Sequence, residues 1–273
     1  MLTILIAVLA GLAGWLAGQF LLQSAGWATF LGALGFIIPT ILINLWNRKR
    51  LEKAFQAVQQ EIQNDQEALR KQLNQMQNRM GGATKGLQKQ IEKKQEAGIR
   101  RALDKLDEIK PLYKWNLLAE RQVNTMRAQL HYQIGEFEKA DKYLAKSFAM
   151  DPFTLAMKIA RAYKNNDTKK VEKLFKKGRK RFKAEKGELI WALYAWILVK
   201  QERIDEAVKV LNDARDKMDS ETIETNWNHL VNGNIKQFSN AGLGDQWYAL
   251  QLETPKQKRV KQSRGAGSKK RFR

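Results

Sequence analysis

Gly135-Glu136-Phe137-Glu138-Lys139-Ala140 opens a stretch that runs on to Met150-Asp151-Pro152. It reads as a tight turn, then a helix, then a proline stop. Pro lacks the backbone donor that a helix interior needs, so Pro152 bounds the unit. Ala128 stands ahead of the turn where a small residue is needed, Ala140 stands after it, and Leu144 is the bulky residue beyond. Small residues let the two helices of a hairpin approach closely, and bulky ones fill the gaps. A lone hairpin cannot bury its apolar face, so neighbours are required.

Neighbours are visible. Gln201-Glu202-Arg203-Ile204-Asp205-Glu206-Ala207 repeats the turn-and-alanine pattern, with Trp191 and Ala195 ahead of it and Leu211 and Ala214 behind. Ala207 lies 67 residues beyond Ala140. Between them, Ala162, Val171, Phe175 and Gly178 outline a degenerate unit with a short connection, Lys164-Asn165-Asn166-Asp167. Aligned on Ala140, the pattern resembles the tetratricopeptide repeat (TPR), a helix–turn–helix unit of about 34 residues. The resemblance covers residues 115–220 and implies three units, at 112–152, 155–183 and 187–218. It implies an α-solenoid that binds another protein, and it does not say which one. In such arrays the first helix of each hairpin lines a concave groove. The resemblance therefore places Arg121, Asn124, Arg127, Lys158, Arg161 and Tyr194 there as partner-binding residues. The Lys and Asn pair, four residues apart, with which some of these adaptors hold a terminal carboxylate is not found here. An acidic or mixed peptide is the expected ligand.

The N-terminal part is a different kind of sequence. Residues 1–47 contain no Asp, Glu, Lys or Arg, although the whole chain of 273 residues carries a net charge of +21. Leu2–Leu22 is apolar apart from Thr3 and Gln19, and Gly26–Trp46 is similar. Each is about long enough to cross a ~30 Å hydrocarbon core. The link between them is too short for anything but antiparallel neighbours, so a transmembrane helical hairpin is expected over 1–47. A cleaved signal peptide fits less well: Met1-Leu2-Thr3 carries no basic residue, and cleavage would leave the second span in place. Gly11, Gly14 and Gly18 lie on one side of the first span, Gly32 and Gly35 on one side of the second. Such small residues pack helices in lipid, either the two spans together or the hairpin against another copy as a homo-oligomer. Pro39 is a candidate kink. Arg48-Lys49-Arg50 follow the second span and mark its cytoplasmic side. The expected location is the cell (inner) membrane, with the bulk of the chain in the cytoplasm.

Beyond the spans, 48–80 reads as a helical stalk. Phe55, Ile62, Leu69 and Met76 recur every seven residues, with Leu51 and Val58 beside them, until Asp65 and Gln72 break the seam. This is a weak coiled coil, and self-association and a plain spacer both fit it. Thirty residues of helix would project roughly 45 Å. Residues 81–86, Gly81-Gly82-Ala83-Thr84-Lys85-Gly86, read as a hinge; they lack the phosphate-loop spacing. The helical repeat domain is expected over 87–254, with a closing helix from Ser220 to Phe238. Residues 255–273 form a basic tail with nine Lys or Arg and no acid, expected to be disordered alone. The fold class is all-α.

Chemistry is sparse. Cysteine is absent, and the two histidines stand apart. His131 falls where the repeat's first helix usually carries an aromatic residue, so it reads as packing, and His229 has no neighbour at ligand spacing. No nucleophile-elbow, zinc-protease or dinucleotide motif occurs. The chain is expected to be no enzyme and to hold no metal or cofactor. Binding features are richer. Lys169, Lys170, Lys173, Lys176, Lys177, Lys180 and Arg181 surround the apolar side of one predicted helix, and Lys269, Lys270, Arg271 and Arg273 crowd the tail. These are the candidate anion-binding residues, with anionic lipid and RNA as the matching ligands. The reading is a membrane-anchored TPR adaptor that helps assemble a complex. The alternative is a membrane-docked RNA- or ribosome-binding protein that works through its basic helix and tail.

Overall fold

The computed structural model describes residues 2–80, 85–116 and 118–255. The first four residues of the expected hinge and the tail from residue 256, with Lys269, Lys270, Arg271 and Arg273, lie outside the described residues. The chain divides into two compact units, Met1–Met150 and Asp151–Arg273. Among the described residues there is no strand.

The first unit holds α1 (Leu2–Leu22), α2 (Ala25–Met80), α3 (Lys85–Asp107), a 3-10 turn (Lys110–Lys114), α4 (Ala119–Gln133) and α5 (Phe137–Lys146). Helices α1 and α2 run antiparallel at close range. A Cβ at Gly14 would lie 2.6 Å from the Leu31 carbonyl oxygen, and one at Gly18 would lie 2.5 Å from Ala28 Cα. The glycines thus pack the two helices on each other. The outer faces stay bare: Leu5, Leu9, Phe20, Phe30 and Leu42 are all more than half exposed. Both helices are long and apolar enough to cross a membrane.

The second apolar segment and the stalk are one helix. α2 runs through Pro39 for 56 residues without a break. α1 covers it at Ala28, and α3 covers it at Leu51 and Val58. α3 returns antiparallel along α2, as the Lys105–Glu61, Arg101–Asp65 and Lys94–Gln72 contacts show. Leu51, Phe55, Val58 and Ile62 pack with Ile99, Ala102, Leu106 and Ile109. The expectation of a lone projecting stalk is therefore corrected: the half-seam is filled by the chain's own next helix. Lys85 and Gly86, read as hinge, are the first residues of α3. Near the other end of the pair, Thr3 Oγ1 donates to the Trp115 carbonyl oxygen at 2.6 Å.

The second unit holds α6 (Pro152–Lys164), α7 (Thr168–Arg181), α8 (Glu188–Lys200), α9 (Ile204–Arg215), α10 (Glu221–Val231) and α11 (Asp245–Tyr248), with three short 3-10 turns. Asp151, Asp167 and Ser220 cap their helices by accepting from the backbone N–H three residues on. Such caps satisfy donors that the first helical turn leaves free. α8 is the core: every residue from Leu189 to Leu198 is buried. A helix apolar all round belongs inside a layer of others. Behind it, Asn240 Nδ2 donates to the Ala192 carbonyl oxygen at 3.0 Å, and Asn226 donates to Asn240 at 2.9 Å.

Each hairpin turn closes the same way. Gly135, Asn166, Glu202 and Gly233 adopt positive φ, at 76°, 56°, 60° and 71°. The residue after each donates its N–H to the carbonyl five positions back: Glu136 to His131, Asp167 to Ala162, Arg203 to Leu198 and Asn234 to His229, at 2.8–3.0 Å. This is the left-handed helix ending that glycine favours. The fourth instance corrects the closing helix. It stops at Val231 rather than reaching Phe238, because the turn at Gly233 ends it as the other turns end α4, α6 and α8.

Two outcomes follow. Gly18→Leu forces α1 from α2 and costs roughly 1–3 kcal/mol; purified in detergent, it should melt earlier than the native chain, whereas Leu21→Ala on the bare face should not. Glu202→Gly removes a strained left-handed side chain and should stabilise by about 0.5–1 kcal/mol, read as a raised melting temperature.

Candidate functional site

In the first unit the expected groove residues part company along α4. Arg121 is exposed, its guanidinium 5.2 Å over the Phe148 ring. Asn124 is only 4% exposed and Arg127 only 8%. Arg127 pairs with Asp107 and donates to the Leu106 carbonyl oxygen at 3.4 Å, which ties α4 to the C-terminal end of α3. Its guanidinium also lies 5.6 Å over Tyr143. Its charge is thus satisfied inside the unit and is not offered to a ligand.

Next to it is a carboxylate hub. Glu136, at the hairpin turn, lies 3.1 Å from Lys139, 3.1 Å from Arg100 and 2.7 Å from His131 Nδ1. Hydrogen bonds from Lys139, and then from His131 and Arg100 against the cost of burial, hold its carboxyl down to about 2. His131 stacks on Tyr143 with centroids 5.4 Å apart. The hub fastens α3, α4 and α5 together at one point.

In the second unit Tyr194 is 8% exposed and stacks on Phe175 at 3.9 Å, so it belongs to the α7–α8 core; burial pushes its phenol up. Lys158 and Arg161, on α6, are half-buried. Burial lowers the Lys158 ammonium, and Lys177 and Lys170 lower it further. A residue expected in the groove therefore shares its field with two expected on the anion face. On α7, Lys169, Lys170, Lys173, Lys176, Lys177, Lys180 and Arg181 are all exposed, while Val171, Phe175 and Gly178 are buried.

Two features escaped the sequence reading. Glu253 accepts from the indole N–H of both Trp196 and Trp247, at 2.9 Å each, with Lys200 4.0 Å away. No spacing links residues 196, 247 and 253 in sequence. The other is a cleft of about 470 Å³ between α2 and α3, lined in part by Ile62, Leu69, Gly98 and Ile99. One Asp65 carboxylate oxygen beside it is buried with no hydrogen-bond partner. Among the described residues, no three His, Asp or Glu gather in a way that could hold a metal ion.

Comparison with known families finds the tetratricopeptide repeat in residues 122–154. The match spans all but the first three residues of the first hairpin's opening helix, its turn, α5 and the start of α6. No curated protein and no solved structure matches the chain.

The Glu136 hub gives a signed pH dependence. A carboxyl held near 2 adds stability that is full above the ordinary carboxylate range. That stability is lost as pH falls from about 4.5 toward 2. Thermal melts across that window should show Glu136→Gln with a flatter slope than the native chain, and with a lower melting temperature at neutral pH.

Proposed function

We propose that this chain, which carries a tetratricopeptide repeat, is a non-enzymatic adaptor anchored in a membrane. The repeat supports protein–protein interaction as its work. One observation carries the membrane part: two antiparallel apolar helices, bare on their outer faces, precede the repeat in the same chain. Bare leucine and phenylalanine over both helices suit lipid and do not suit water. Arg48, Lys49 and Arg50 are exposed where the apolar stretch ends, and Arg50 lies 4.1 Å over the Trp46 ring. That arrangement supports a cytoplasmic interface at this point and a cytoplasmic repeat region.

Tethering then does the mechanistic work. A weak contact between the repeat hairpins and a partner gains from a high effective concentration at one membrane. Arg121, Lys158 and Arg161 are the expected groove residues that keep exposed or half-exposed surface, and all three are basic. They favour an acidic or mixed segment on the partner.

The test is affinity capture from native membranes dissolved in detergent, with and without nuclease, using the full chain and a chain ending at Thr254. The expected result is a discrete protein partner that survives both nuclease and loss of the tail. Ribosomal proteins or RNA that vanish with nuclease would replace this reading with a membrane-docked RNA or ribosome binder.

A further inference from the structure

The outward face of α7 is the most one-sided surface of the second unit. The helix carries eight basic residues in fourteen, and its one acid is Glu172. That acid lies toward α9, 3.8 Å from Arg203 at the cap of that helix, and one acid leaves eight cations in large excess. Arg179 is likewise engaged, 3.9 Å from Asp213 and 5.9 Å over Phe175. What remains is Lys169, Lys170, Lys173, Lys176, Lys177 and Lys180, all exposed. Among the described residues none of these six forms an ion pair with a carboxylate. They stand along a helix of about 21 Å, and Lys158 from α6 adds its charge to Lys170 and Lys177.

The chemistry of the face selects the ligand. Val171, Phe175 and Gly178 are turned into the core, so no exposed aromatic side chain stands between Thr168 and Arg181 to stack on a base. No Asn or Gln stands there to read a base edge. Six of the eight basic residues are lysines, which act as compact point charges on flexible stems rather than planar forks. A surface of many anionic phosphates needs nothing more, and a tethered chain meets one such surface at high local concentration.

We propose that the lysine face of α7 docks on the anionic lipid headgroups of the membrane that holds the apolar hairpin. The docking is electrostatic, without insertion, since the face presents no apolar side chain. It rests on the anchoring proposed above, and the two can fail separately.

The test uses the full chain in nanodiscs of phosphatidylcholine alone, and in nanodiscs with added phosphatidylglycerol. Amine acylation is followed residue by residue by mass spectrometry. The six lysines should react roughly threefold more slowly in the anionic discs, and the difference should vanish in about 1 M salt, where the screening length is about 3 Å. Lys209 and Lys236, exposed off this face, should react alike in both. The variant Lys169→Gln/Lys173→Gln/Lys176→Gln/Lys180→Gln changes only exposed side chains. It should keep its helical circular dichroism and lose the protection of Lys170 and Lys177. Equal acylation in both lipids overturns the docking and leaves the anchoring intact. Protection that requires added duplex RNA, and not anionic lipid, overturns it in favour of nucleic acid. A chain that does not incorporate into discs overturns both.

Discussion

The backbone hydrogen bond that closes each hairpin is the constraint on which the repeat architecture depends. A helix ends with carbonyls that have lost their partners. Here the N–H after a left-handed residue returns to the carbonyl five positions back, four times over, at Glu136, Asp167, Arg203 and Asn234. The bond turns the chain through a fixed angle and delivers the next segment onto the helix just completed. Only then do the small residues matter. Ala140 and Ala207 are fully buried because the turn has brought them against a helix, and Val171 is buried with them although it is larger. The last turn, at Gly233, is followed by short 3-10 segments and α11 instead of a full second helix. Asn226, Asn240 and Glu253 supply the polar contacts that close that end.

Much of this was readable in the chain. Gly135, Ala140, Leu144 and Pro152 mark a hairpin because each does a local job that few other residues can do. What could not be read was which way a polar residue on a helix faces once a third helix arrives. Arg127 and Asn124 lie on a first helix, as groove residues should, but α3 occupies the space beside Arg127 and Asp107 takes its charge. Tyr194 lies in the stretch of α8 that is buried on all sides, Leu189 to Leu198, so that stretch was not open to form a groove wall. The stripe Leu51, Phe55, Val58, Ile62 has the same spacing whether a second copy or the chain's own α3 covers it. Only the return of α3 decides between them, and its register rests on Glu61, Asp65 and Gln72 meeting Lys105, Arg101 and Lys94.

Charge in this protein falls into two groups. One is internal: Arg127 with Asp107, Glu136 with Arg100, Lys139 and His131, Arg215 with Glu224. These fasten helices to one another, and their acids are consumed in doing so. The other is the surplus that the net +21 requires. On the second unit that surplus is concentrated on α7, where one acid stands among eight basic residues and none of the six lysines pairs with it. A surface is made strongly basic as much by where the acids are used as by where the lysines stand.

The contact between Thr3 and Trp115 spans 112 residues of chain. A ribosome adds about 5–20 residues per second, so Thr3 waits on the order of 5–20 s for its partner. For part of that interval Leu51, Val58 and Ile62 also lack α3, which is synthesised later. That apolar stripe is exposed for seconds in every newborn copy.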